Sequence, residues 1–167
     1  MKRIATAVTN GITKAEKVFA FIAFLLILGA LSADVIGREI AGHGVFGAVK
    51  FAVYALIYCA MAGFGVATAT GSHLRPKFLD KVVPDALTPV ALRLGQFASA
   101  AILVMLAWAG LTFVELGMML EERDVTLDVL IWPVQLAIPL GFALSALRHV
   151  IYGIWLDLLP VEQGVAE

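Results

Sequence analysis

The sequence predicts an all-α integral membrane protein with four transmembrane helices and both termini on the cytoplasmic side. Three observations lead there. Hydrophobic residues make up 61% of the 167 and charged residues 15%, with a mean hydropathy of +0.94. A soluble domain carries about 25% charged residues. The apolar residues are gathered into four long stretches, and one bilayer crossing takes roughly 20 residues at 1.5 Å per residue. The chain therefore has room for four crossings and short loops as a single membrane domain over residues 1–167. Finally, Lys and Arg collect on alternate loops, and short loops rich in these residues stay cytoplasmic.

The first span is placed at about 18–40. Before it, Lys2, Arg3, Lys14 and Lys17 face one acid, Glu16, and Val18 to Ala33 then runs without a charge. A cleavable leader is the alternative, with Ala30 and Ser32 near a cleavage site, but the apolar run exceeds the usual core of a signal peptide. Asp34 and Arg38 stand at i and i+4, an order that favours a pair on one helical face at the end of the span. The second span, about 49–70, opens with Lys50, whose stem can reach back to the headgroups. Residues 71–89 form a basic cytoplasmic loop with His73, Arg75, Lys77 and Lys81, broken by Pro76 and Pro84.

The third span is read as about 90–114, after Pro89, ending at Glu115. An acidic periplasmic loop follows at 115–128, where Glu121, Glu122, Asp124 and Asp128 outnumber Arg123. The fourth span, about 129–148, contains Pro133, Gln135 and Pro139 and closes at Arg148. A proline inside a membrane helix frees a carbonyl, so Pro139 predicts a bend packed against a neighbouring helix. Tyr152 and Trp155 are placed in an interfacial aromatic belt.

With the amino terminus inside, Lys2, Arg3, Lys14, Lys17, Arg75, Lys77, Lys81, Arg93 and Arg148 fall on the cytoplasmic side, against Arg38, Lys50 and Arg123 outside. Helices in lipid associate through close packing, for which small residues at four-residue spacing serve. The longest such ladder is Ala55, Cys59, Gly63, Ala67 and Gly71, and Cys59 within it reads as a packing residue. Gly63 and Ala67 are candidates for a face that meets another chain.

Chemistry is sparse. No ionisable group is expected at mid-depth, where such groups are costly and usually functional. His43, His73 and His149 do not share a helix at ligand spacing, so no cofactor or metal is expected, and no phosphate loop or nucleophile motif appears. Gln135 reads as an interhelical hydrogen-bonding residue. The chain is not expected to be an enzyme or to bind nucleic acid.

Several of these features together resemble a known family. They are Asp34 and Arg38 at the outer end of the first span, a Gly-Phe-Gly with small residues running into Gly71-Ser72-His73-Leu74-Arg75, and Ile138 to Gly141 followed by Arg148. The pattern resembles the small membrane subunit of tripartite ATP-independent periplasmic (TRAP) transporters over nearly the whole chain. Lys77 and Lys50 stand where members of that family commonly carry acids. The resemblance implies a fixed scaffold in the bacterial inner membrane. Its partners would be a large permease subunit, a periplasmic substrate-binding protein and membrane lipid, and it would serve sodium-driven uptake of an organic anion.

Under that reading, Gly63, Ala67, His73 and Arg75 are candidates for the subunit interface. Glu121, Glu122 and Asp124 are candidates for docking the binding protein, as acids with no neighbouring partner except Arg123. The runner-up is a four-helix membrane anchor of a respiratory oxidoreductase, which would need haem or quinone ligands.

Overall fold

The computed structural model describes residues 2–71 and 87–160, so the expectations for His73, Arg75, Lys77 and Lys81 lie outside the described residues. Five α-helices are present among the described residues: α1 Lys2–Ala41, α2 Ala48–Thr70, α3 Thr88–Met119, α4 Trp132–Gln135 and α5 Ala137–Ile154. Among the described residues there is no strand, and four segments are long and apolar enough to cross a membrane, α4 and α5 together making the fourth. α1 packs against α2, α2 against α5, and α5 against α3. The helices thus lie in the order α1, α2, α5, α3, which leaves α1 and α3 on the flanks.

The boundaries differ from expectation in three places. α1 begins at Lys2 rather than near Val18, making one rod of 40 residues, about 60 Å long at 1.5 Å per residue. Its first turns are held by tertiary contact: Ala5 packs with Ile151 and Tyr152, and Lys2 pairs with Asp157. α3 takes in Pro89 in its first turn, where a missing N–H costs nothing, and runs past the exposed Glu115 to Met119. It stops in a Schellman arrangement, with Glu122 N–H donating to Gly117 O and Glu121 N–H to Met118 O. Glu121 holds a φ of 47° there, a position that glycine usually fills.

The fourth span is broken, as Pro139 predicts. Proline cannot donate to the carbonyl four residues earlier and its ring crowds that carbonyl. That residue is Gln135, where α4 ends. Pro139 is buried and packs directly on Gly110 of α3, so the bend faces a helix and not lipid. α5 then continues past Arg148 to Ile154. Tyr152 is only 5% exposed, so it belongs to the contact with α1 and not to an outward aromatic belt.

Cys59 Sγ lies 3.6 Å from Ala20 O at the α1–α2 contact, in keeping with a packing role. The small-residue ladder of α2 is split between faces. Ala55 is buried, whereas Gly63 is exposed with no atom near the place its Cβ would occupy.

Candidate functional site

Two polar clusters, one at each end of the bundle, set the positions of its surfaces. The inner cluster centres on Arg148, whose side chain is fully buried. Its guanidinium donates to Gly65 O at 2.8 Å, to Glu16 Oε2 at 2.5 Å and to Thr13 Oγ1 at 3.4 Å. Three elements are tied by one side chain: Glu16 and Thr13 from α1, Gly65 from α2 and Arg148 from α5. Gly65 is required for this geometry, because the Glu16 carboxylate occupies the space any side chain at position 65 would fill.

Sequence reasoning missed this cluster, having left Glu16 in the basic stretch before the first span and Arg148 at the end of the fourth. The pair lies at one end of the bundle and not at mid-depth; what the sequence did not disclose is that Arg148 and Glu16 are buried against each other there. The available signal was Glu16 itself, the lone acid among four cations at the start of the first helix.

The outer cluster centres on Asp124. Tyr54 Oη donates to Asp124 Oδ2 at 2.6 Å, and Lys50 Nζ lies 3.1 Å from the same oxygen. Oδ1 accepts the backbone N–H of Thr126 at 2.8 Å and of Leu127 at 2.9 Å. These contacts hold the carboxyl below the usual carboxylate range. The Tyr54 hydrogen bond contributes most, against an opposing effect of burial, with the Leu127, Lys50 and Thr126 contacts adding to it.

Asp124 is only 4% exposed, which corrects its placement among the unpartnered loop acids. Lys50 is corrected as well, since it ties α2 to this loop instead of merely reaching for headgroups. Leu127 completes the tie by packing on Gly47, whose φ of 75° starts α2. Arg123 pairs with Asp128 at 3.3 Å, across a short antiparallel bridge between Arg123 and Leu130. Glu121 and Glu122 remain exposed, Glu122 accepting a 3.4 Å hydrogen bond from Gln135 Nε2.

Asp34 and Arg38 pair at 2.8 Å at the same end as Asp124, as their spacing predicted. His149 meets Gln96 at 2.6 Å between α5 and α3, and His43 is exposed in the loop after α1. No group of three or more metal-ligating side chains occurs among the described residues.

The outward surface of α2 is the third feature. Val49, Val53, Leu56, Ala60 and Gly63 are exposed and Ala67 is half-buried. Their spacing of alternating four and three residues puts them in one stripe on a helix. Large side chains occupy its outer half and small ones its inner half. Gly65, two residues from Gly63, points the opposite way into the Glu16 cluster, so the Gly-Phe-Gly segment serves two different surfaces.

Residues 27–159 match the model of the family described as Tripartite ATP-independent periplasmic transporters, DctQ component. The chain belongs to this family. It is therefore a small permease component of a TRAP transporter and a multi-pass membrane protein, and the DctQ family is a transporter component, not an enzyme family. The DctQ match begins in the second half of α1 and ends beyond α5, so it includes the Asp124 cluster and Gly65 and Arg148, while Thr13 and Glu16 lie before it. No curated protein matches the chain. The respiratory-anchor reading is not favoured by DctQ membership.

Proposed function

We propose that this chain is a fixed scaffold that holds the large permease subunit of a TRAP-type transporter through the outward stripe of α2 around Gly63 and Ala67. The observation that carries the reading is the open space beside Gly63. A small-residue face that no described helix of its own chain covers lets another backbone approach closely. His73 and Arg75, outside the described residues, belong to the same proposed interface.

The work of the system is sodium-driven uptake of an organic anion delivered by a periplasmic binding protein, across a bacterial inner membrane. The rigidity such a scaffold needs is supplied by the two clusters, which tie α1, α2 and α5 together at one end and α2 and the outer loop at the other. The spans support the scaffold role in a second way. Transporter sites are typically built from helices broken in pairs near mid-membrane, and here the break at Leu136 stands alone among the described residues.

Lys2 and Asp157 lie at one end of the bundle, so residues close to both termini share a side. The Lys and Arg distribution makes that side cytoplasmic. The outer loop is then periplasmic, and Glu121 and Glu122, without Asp124, are its binding-protein contacts. Charge of one sign steers a partner mainly through association rate. A cysteine at Glu122 in a Cys59→Ala background should react with an impermeant thiol reagent in intact spheroplasts and lose uptake on reaction. Failure to react would refute the orientation, and reaction without loss of uptake would refute docking there.

The function itself is tested by mild-detergent affinity purification from the native host with identification of the copurifying chains. A multispan permease is the result expected. Respiratory subunits with a haem absorption band would overturn the proposal.

A further inference from the structure

The first turns of α1 carry charge that the rest of the molecule does not use. Asp34 at the outer end and Glu16 in the inner cluster lie about 18 residues apart on α1, or about 27 Å along its axis at 1.5 Å per residue. That spacing is close to the hydrocarbon thickness of a bilayer, about 30 Å. Glu16 thus marks the inner hydrocarbon boundary, so Lys14 and Lys17, within a turn of it, stand at headgroup depth, while Arg3 lies about 20 Å further along the axis.

Of the cations in this segment, Lys2 is paired with Asp157, and its one acid, Glu16, is buried against Arg148. Arg3, Lys14 and Lys17 are exposed and have no ion-pair partner among the described residues. At about 100° per residue the three fall within about 60° of one another on the helix surface. Beside them run the apolar residues Ile4, Val8, Ala15 and Ile22, all exposed. Where the two stripes meet there is a shallow hollow of about 470 Å³, lined by Gly11, Lys14, Ala15, Val18, Phe19 and Ile22. Gly11 leaves it open, with no atom near its Cβ position.

We propose that this flank of α1 is a binding site for an anionic phospholipid. The lipid phosphate sits between Lys14 and Lys17, one turn apart, and an acyl chain lies along Val18 and Ile22. Charge complementarity selects this occupant. Two unpaired cations at headgroup depth, with Arg3 about 16 Å further along the helix, face a leaflet whose anionic lipids attract such residues. The apolar hollow continues from Lys14 into the hydrocarbon layer, as a single bound lipid requires and a soluble anion does not. The site includes no residue of the α2 stripe assigned to the large subunit, although Ala15 and Phe19 also border a hollow shared with Ala137, Leu140 and Leu144 of α5.

The test is native mass spectrometry of the full chain released from nanodiscs of equal phosphatidylglycerol and phosphatidylcholine, counting retained lipid. Phosphatidylglycerol should be retained over phosphatidylcholine by about 25-fold at low salt, since each of the two cations near an anionic surface is worth about fivefold. The preference should fall several-fold in K14Q/K17Q and at high ionic strength, and stay in R93Q, which removes a cation from α3. Equal retention of the two lipids by the unmodified chain would overturn the proposal. So would an equal loss in R93Q, which would indicate diffuse attraction without a site. Should the double variant fail to fold, K14Q alone and the salt series on the unmodified chain decide the matter.

Discussion

Asp124 shows how much one side chain can organise. It stands in the most acidic stretch of the sequence, and by composition it is one loop acid among four. In the structure it accepts hydrogen bonds from Tyr54, Thr126 and Leu127 and an ion pair from Lys50, joining the outer loop to the start of α2. Its carboxyl is held below the usual range, so the sign of its linkage is fixed. A depressed carboxyl contributes stability that is fully present above the unfolded value, about 3.9, and is lost as pH falls toward the folded value. The thermal midpoint of the detergent-solubilised chain should drop below about pH 4, whereas Asp124→Asn should start lower at pH 7 and change less on acidification. Parallel pH curves for the two proteins would show that Asp124 is not the responsible group.

At the scale of elements, the sequence was most readable where local chemistry decides. Pro139 forced the break between α4 and α5, the Asp34–Arg38 spacing gave the pair observed, and the four apolar stretches became four spans. It was least readable where tertiary contact decides. Nothing local says that α1 starts at Lys2. What extends it is Ala5 against Ile151 and Tyr152, and the ion pair from Glu16 to Arg148, 132 residues away.

This pair also yields a sharp expectation. Removing one partner of a buried ion pair leaves an uncompensated charge and costs about 3–5 kcal/mol, while replacing both with apolar residues is often near neutral. Arg148→Met should therefore destabilise the isolated chain by about that much, and the added Glu16→Leu should recover most of the loss. Chemical or thermal unfolding of the four proteins of this cycle measures it. Additive losses would mean that the two side chains do not act together.

For the molecule as a whole, the row α1, α2, α5, α3 leaves each face of the sheet of helices one layer deep. Large apolar side chains such as Met105 and Trp108 cover the outward side of α3, which suits lipid. The stripe of α2 differs in tapering to Ala60, Gly63 and Ala67. Gly63 and Ala67 were legible as small residues at helical spacing, but spacing alone did not say which members of the ladder turn inward. Burial separated Ala55, which packs internally, from Gly63, which does not. Glu121 and Glu122 were likewise legible as exposed acids only after Asp124 had been removed from their company by its partners.

The central claim is that the α2 stripe holds the large subunit, and copurification of Gly63→Leu measures it most directly. Because open space surrounds position 63, the isolated variant should fold and unfold like the unmodified chain. A leucine there should nevertheless keep a partner helix at a distance and reduce recovery of the large subunit several-fold, with Ala67→Leu acting in the same direction. Full recovery of the complex and normal uptake with both variants would place the interface on another face and contradict the account.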